Sequence, residues 1–139
     1  MVSNSSGAVQ CLVKSPQALN KAVTLWVDKG LEQSYCEGSW VTVAVTSNKY
    51  LRWFTEKAKR SHGVLALVSP KLINLNSLLL AQRGPLEFPC LYGIADDQYQ
   101  FINGRHRAYW LATTGGSEIV PLRISEQYGE ALFVEISSY

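Results

Sequence analysis

Residues 89–124 read PCLYGIADDQYQFINGRHRAYWLATTGGSEIVPLRI, and this stretch carries most of the evidence for the fold class. It begins with two short runs of apolar and aromatic residues, 89–95 and 98–102, which lie on either side of Asp96-Asp97. Two such runs joined by a pair of turn-forming residues predict a β-hairpin. The run IVPLRI, at 119–124, predicts a further short strand at the other end of the stretch.

A helix is expected between the hairpin and that strand. Asn103-Gly104 ends the second hairpin strand, and a helical run then extends from about Arg105 to Thr114. Gly115-Gly116 terminates this helix, because glycine tolerates the left-handed conformation that follows a helix C-terminus.

Two helices and two strands are expected before this stretch. From Ser15-Pro16 the spacing of apolar residues predicts a helix that ends at Gly30. Its apolar positions are Leu19, Ala22, Val23 and Trp26. Residues 40–46 (WVTVAVT) predict a buried strand, and a second helix, capped by Ser47 or Asn48, runs to about Arg60. Residues 64–68 predict another short strand.

The ends of the chain complete the prediction. Residues 1–10 are small and polar and are expected to be disordered, and residues 125–132 predict a brief helix before Phe133–Ile136. Because strands alternate with helices and the chain contains no repeat or long linker, we expect residues 11–139 to form one mixed α/β domain.

Composition excludes several classes of protein. The chain has 139 residues, of which 47% are hydrophobic and 17% charged, so it is apolar enough to form a core. A formal charge of +2 excludes a histone-like polycation. Three cysteines without a CxxC motif argue against a disulfide framework or a zinc ribbon, and two histidines exclude a multi-histidine metal centre. The absence of a signal-like N-terminus and of a long apolar run predicts a cytoplasmic protein without a membrane span.

The turn at 103–107, NGRHR, is the segment that indicates chemistry. A helix N-terminus presents unpaired N–H groups and the positive end of the helix dipole. Gly104 allows an anion to approach closely, Arg105 and Arg107 offer bidentate contacts, and His106 offers a switchable donor. Two arginines in a first helical turn oppose the dipole, which favours a site that binds phosphate or carboxylate. The alternative is an ordinary Asn-Gly turn followed by a solvated basic surface.

The order strand, NGRHRA, helix, Gly break and strand resembles the core of the ParB/sulfiredoxin superfamily over residues 88–124. Gly104 and Arg107 match the most diagnostic positions of that family's phosphate-binding box, and His106 matches the histidine of the sulfiredoxin version. The resemblance implies a ParB/sulfiredoxin-like fold whose box, Asn103 to Arg107, binds nucleotide phosphates or a nucleic-acid backbone.

Departures from the family narrow the implied function. Arg105 stands where sulfiredoxins carry their catalytic cysteine, so sulfiredoxin activity is not expected. Tyr109 and Trp110 replace the Arg and Ala of segregation-type ParB proteins, and the chain leaves no room for their helix-turn-helix and dimerisation domains. These features make chromosome partition an unlikely function.

The small plasmid fertility inhibition factors are the members that the chain resembles most. This resemblance implies a bacterial cytoplasmic inhibitor of conjugation that binds a type IV secretion component, the coupling ATPase. One alternative is a small ATPase or nuclease that holds ATP or another nucleotide with Arg105, His106 and Arg107. A weaker alternative is an accessory protein that binds DNA.

Three other features allow two interpretations each. The helix carrying Arg52, Trp53, Lys59 and Arg60 could follow a nucleic-acid backbone or bind a partner, with Trp53 stacking on a base. The interpretation we favour is a surface helix whose aromatic residues lie in the core. Asp96-Asp97 could bind a divalent cation but is better explained as a turn, so no metal site is assigned. The acidic residues of the C-terminal segment are expected to form a solvated face. They are Glu126, Glu130 and Glu135.

Overall fold

The strands of the protein form two sheets, a five-stranded mixed sheet and a smaller three-stranded sheet. The computed structural model describes residues 2–3, 9–13, 21–58, 86–95, 98–113 and 116–139. The strands are β1 (Val2–Ser3), β2 (Val9–Val13), β3 (Lys21–Trp26), β4 (Trp40–Thr46), β5 (Leu86–Glu87), β6 (Cys90–Ala95), β7 (Gln98–Asn103) and β8 (Ile119–Ser125). The helices are α1 (Lys29–Tyr35), α2 (Ser47–Trp53, continued by a π-helical turn over Phe54–Ala58), α3 (Arg105–Ala112) and α4 (Glu126–Ser137).

The larger sheet has the order β1-β4-β8-β6-β7, and the smaller sheet has the order β2-β3-β5. Strand β8 lies in the middle of this order, and it pairs antiparallel with its neighbour β4 from Trp40↔Ser125 to Thr46↔Ile119. Strand β6 pairs with β8 in parallel through Cys90↔Arg123, and β6 and β7 form the antiparallel hairpin that the sequence predicts. The predicted mixed α/β class is confirmed.

The core lies on one face of the larger sheet. The alternation of β4 and β8 turns their branched apolar residues to that face, because successive side chains of a strand point to opposite sides. Helices α2, α3 and α4 contribute the other half of the same buried cluster. The cluster includes Val41, Val43, Val45, Val120, Leu122 and Ile124 from the sheet and Tyr50, Trp53, Phe54, Ala108, Leu132 and Ile136 from the helices.

The region before β4 differs from the prediction. Residues 21–26, assigned to a helix from their apolar spacing, form β3 and pair antiparallel with β2. The helix α1 begins later, at Lys29, where the Asp28 side chain accepts a hydrogen bond from Leu31 N at 3.0 Å. Gly30, predicted to end a helix, lies in its first turn. Pairing with β2, and with the distant strand β5, thus overrides the local helical spacing. Residues 15–20 of the predicted helix lie outside the described residues.

Three smaller predictions also require correction. The N-cap of α2 is Thr46, whose hydroxyl accepts from Lys49 N, and not Ser47 or Asn48. Residues 133–136 belong to α4, which runs unbroken to Ser137. Residues 2–3 and 9–10 lie in strands, so the predicted disorder of the N-terminus does not hold for them. The predicted strand at 64–68 lies outside the described residues.

Candidate phosphate-binding site

The predicted strand–turn–helix at the NGRHR box is confirmed. Strand β7 ends at Asn103, Gly104 is the N-cap residue of α3, and the helix begins at Arg105. The first intrahelical bond runs from Ala108 N to Gly104 O at 2.9 Å. No side chain caps this helix N-terminus, and no acidic residue lies in its first turn. A helix start of this kind favours a negatively charged group in front of it.

Gly104 has a conformation and surroundings that require glycine. Its φ is +88°, in the left-handed region that residues with a Cβ rarely adopt. A Cβ at this position would lie 2.7 Å from Pro89 Cα and 2.9 Å from Arg107 Nη2. Because both distances are shorter than a van der Waals contact, the bare backbone of Gly104 is what allows the Arg107 guanidinium to lie against the turn.

Arg107 is the most constrained residue of the box. Its side chain is 20% exposed, and its Nε donates to the backbone oxygen of Glu87 at 3.0 Å. Its Nη2 is buried, lies 3.7 Å from Glu87 Oε2 and has no hydrogen-bond partner among the described residues. Burial lowers the pKa of the Arg107 guanidinium below its ordinary value, and the Glu87 carboxylate opposes that effect. A buried guanidinium N–H without an acceptor is costly and is well placed to bind an anion.

Glu87 brings a carboxylate into the box, and the sequence analysis did not identify it. Its Oε2 accepts a hydrogen bond from Asn103 Nδ2 at 2.8 Å and faces Arg107 across the turn. These contacts span 16 and 20 residues along the chain. No local sequence pattern indicates contacts at that separation, so this residue could not have been found from spacing.

The remaining two box residues occupy the same helical turn. Arg105 and His106 are both half-buried at the start of α3. The structure therefore brings all five predicted box residues, 103–107, into one turn, and it joins Asn103 and Arg107 through Glu87. With two arginines against one glutamate, this turn keeps a net positive charge.

Cys90 lies beside this turn, and its thiol is not suited to nucleophilic chemistry. It is buried at the start of β6, where it pairs with Asn103 of β7. Burial first, and then the Glu32 carboxylate, raises the pKa of the Cys90 thiol to about 12. The thiol is therefore protonated at neutral pH, and a thiol in that state is a poor nucleophile.

A buried ion pair lies on the sheet face opposite the core cluster. Arg123 of β8 and Glu32 of α1 are 3% and 2% exposed, and they form a bidentate pair at 2.8 and 3.1 Å. Arg123 Nη1 also donates to Thr42 Oγ1 at 3.1 Å. The run IVPLRI was predicted as a strand, but no acidic partner was predicted for its arginine. An arginine inside an apolar strand is the signal that could have predicted a buried acid.

The second predicted surface, on α2, does not include Trp53, in agreement with the favoured interpretation of a helix whose aromatic residues lie in the core. Trp53 is 2% exposed, and its Nε1 donates to Glu135 Oε2 at 2.7 Å, so its ring is not available for stacking on a base. Three aromatic side chains pack together there, which removes Trp53 from the surface. Arg52 is exposed and contacts the backbone oxygen of Tyr139 at 3.5 Å. Lys59 and Arg60 lie outside the described residues.

The described residues give limited information on metal and membrane binding. Asp96 and Asp97 lie outside them. Within the described ranges, no three His, Cys, Asp or Glu side chains are grouped so that they could hold a metal ion. Glu126 and Glu130 are exposed on α4, whereas Glu135 is half-buried and bonded to Trp53. Of the helices that the structure describes, none is long and apolar enough to cross a membrane.

Comparison of the chain with protein-family models, with curated proteins and with solved structures found no match. The resemblance to the ParB/sulfiredoxin superfamily therefore stays a prediction based on the box and on the order of the elements around it. What the structure adds is the geometry of the box, in which a glycine N-cap and a largely buried guanidinium lie against the carboxylate of Glu87 from β5.

Proposed function

We propose that the NGRHR box binds a phosphate group of a ligand, through Arg107 and the N-terminus of α3. The observation that supports this proposal is the buried Nη2 of Arg107, which lies beside an uncapped helix start and has no hydrogen-bond partner within the part of the chain that the structure describes. Tetrahedral oxyanions accept several hydrogen bonds at once, so one phosphate oxygen could take this donor while another faces the first turn of the helix.

We propose further that the protein is a plasmid fertility inhibition factor, which suppresses conjugative transfer by binding the coupling ATPase of a type IV secretion system. The support for this step is the resemblance of the box and of the strand–box–helix–strand order, together with a site made of binding groups. The partner would present an anionic group to the box, either as a bound nucleotide phosphate or as an acidic surface.

A mating assay tests this function. The protein is expressed in donor cells that carry several unrelated conjugative plasmids, and the number of transconjugants per donor is counted. We expect a plasmid-selective loss of transfer with normal donor growth, and we expect Arg107→Ala to restore transfer. The parallel variant Arg52→Ala removes an exposed arginine of the second predicted surface and is expected to inhibit as well as the native protein does.

Each outcome of that assay has a defined meaning. Unchanged transfer for all plasmids contradicts fertility inhibition. If Arg52→Ala restores transfer and Arg107→Ala does not, the inhibitor binds its partner through α2 and not through the box. Circular dichroism of both variants shows whether a lost effect reflects binding or loss of the fold.

A nucleotide-dependent ATPase or nuclease is the second candidate function. The same unpartnered donor of Arg107 favours it, because guanidinium groups hold the phosphates of ATP in phosphoryl-transfer enzymes. Turnover distinguishes the two functions. An enzyme releases phosphate from ATP or cuts DNA when a divalent cation is added and loses this activity in Arg107→Ala, whereas a pure inhibitor shows no turnover.

A further inference from the structure

The carboxylate of Glu87 lies where the anion of a ligand would bind. Its Oε2 is 2.8 Å from Asn103 Nδ2 and 3.7 Å from Arg107 Nη2, so it faces two donors of the box at once. We infer that Glu87 is a built-in competitor, which an incoming phosphate must displace, and that it thereby sets the affinity of the box. This inference rests on the proposed phosphate site.

The first argument concerns the quality of the contact. At 3.7 Å the carboxylate balances the charge of Arg107, but it is beyond the usual hydrogen-bond distance of about 2.7–3.2 Å. No residue that the structure describes accepts a hydrogen bond from this Nη2. Glu87 therefore lies beside the Nη2 of Arg107 without accepting a hydrogen bond from it. A phosphate oxygen at hydrogen-bond distance would accept the bond that the carboxylate does not.

The second argument concerns what remains when the carboxylate leaves. Arg107 Nε is held by the backbone oxygen of Glu87 at 3.0 Å, and this contact does not depend on the side chain. The Glu87 side chain is 30% exposed, so it can turn toward solvent. The guanidinium thus keeps its place while the competing charge moves away. One residue positions Arg107 through its backbone and competes for it through its side chain.

Isothermal titration of the full chain with inorganic phosphate tests this inference. Glu87→Gln keeps an acceptor for Asn103 but removes the negative charge, so we expect it to bind phosphate about tenfold tighter than the native protein. Glu130→Gln is the matched control. It makes the same change in net charge on the exposed face of α4 and is expected to leave the affinity unchanged.

The results separate this inference from the proposed function. If the native protein and Glu87→Gln bind phosphate equally, or if the variant binds more weakly, Glu87 is not a competitor and the phosphate site stands. If neither protein binds phosphate, the phosphate site fails, and the inference fails with it.

Glu87→Asp provides a second variant in case Glu87→Gln does not fold. It keeps the charge but withdraws it by one methylene, so we expect a gain in affinity smaller than that of Glu87→Gln. An affinity for phosphate equal to or below that of the native protein would contradict the competition.

Discussion

Replacement of Gly104 by alanine tests the geometry of the box most sharply, because two separate costs follow from the structure. A residue with a Cβ at φ +88° is strained by about 1–2 kcal/mol. The new methyl would also lie 2.7 Å from Pro89 Cα, a backbone atom, and 2.9 Å from Arg107 Nη2. Forcing a methyl group into a packed site costs about 1–3 kcal/mol. Together we expect Gly104→Ala to lower the free energy of unfolding by roughly 2–5 kcal/mol.

Gly38 provides the control for the conformational part of this cost. Its φ is +109°, also in the left-handed half of the map, but a Cβ there would meet nothing within 4 Å. Its backbone N and O bond the Gln33 side chain, and alanine keeps both groups. The stability lost in Gly38→Ala therefore reports the backbone strain alone. The additional stability lost in Gly104→Ala, about 1–3 kcal/mol, reports the close contact of the methyl group at the box.

Urea denaturation of both variants, followed by circular dichroism, measures this difference, and a phosphate titration of Gly104→Ala measures its effect on the site. Because the methyl displaces Arg107, we expect phosphate affinity to fall at least about tenfold, whereas Gly38→Ala keeps it. Equal stability losses for the two variants, or undiminished phosphate binding by Gly104→Ala, would refute the argument that the bare backbone at 104 holds Arg107 in place.

The other predictions concern buried polar groups. Glu32→Gln leaves the charge of Arg123 buried without its counter-charge and should lower the free energy of unfolding by about 3–5 kcal/mol, measured by urea denaturation; a loss below 1 kcal/mol would mean that the pair is not desolvated. Tyr50→Phe removes a fully buried hydroxyl that has no hydrogen-bond partner in the described ranges, and it should raise the free energy of unfolding by about 1 kcal/mol; a free energy of unfolding below that of the native protein would contradict the burial of an unsatisfied group. Because its pKa is raised to about 12, Cys90 should resist iodoacetamide at about pH 9 while Cys36 reacts; mass spectrometry of the labelled peptides decides, and equal labelling would show that the Cys90 thiol is accessible and ionised.

Local pattern was sufficient for the elements whose partners are close in sequence. The hairpin β6–β7, the helix α3 and the strand β8 follow one another within the stretch 90–125, and turn residues mark their ends. A continuous β-branched and apolar run likewise identified β4, because a strand buried on both faces lacks the alternation of polar and apolar residues. The box residues were found for the same reason, since they lie next to one another in the chain.

Pairing between segments explains what the spacing of residues could not predict. Residues 21–26 carry apolar groups at helical spacing, but they form a strand that pairs with β2 and with the distant strand β5. Glu87 reaches the box across 16 residues, and Glu32 reaches Arg123 across 91. Such contacts depend on how the sheets are ordered, which no spacing in one sequence specifies. The spacing on α2 left two interpretations of Trp53 open, because aromatic residues that face solvent and aromatic residues that face the core recur at the same helical spacing.

Binding of phosphate at the box is the central claim, and an amide-resolved NMR titration with inorganic phosphate tests it most directly. We expect chemical-shift changes that concentrate on the amides of residues 103–107 and that disappear in Arg107→Ala. Shifts spread over exposed basic residues such as Arg52, or no shifts at all at the start of α3, would contradict a phosphate site in the NGRHR turn.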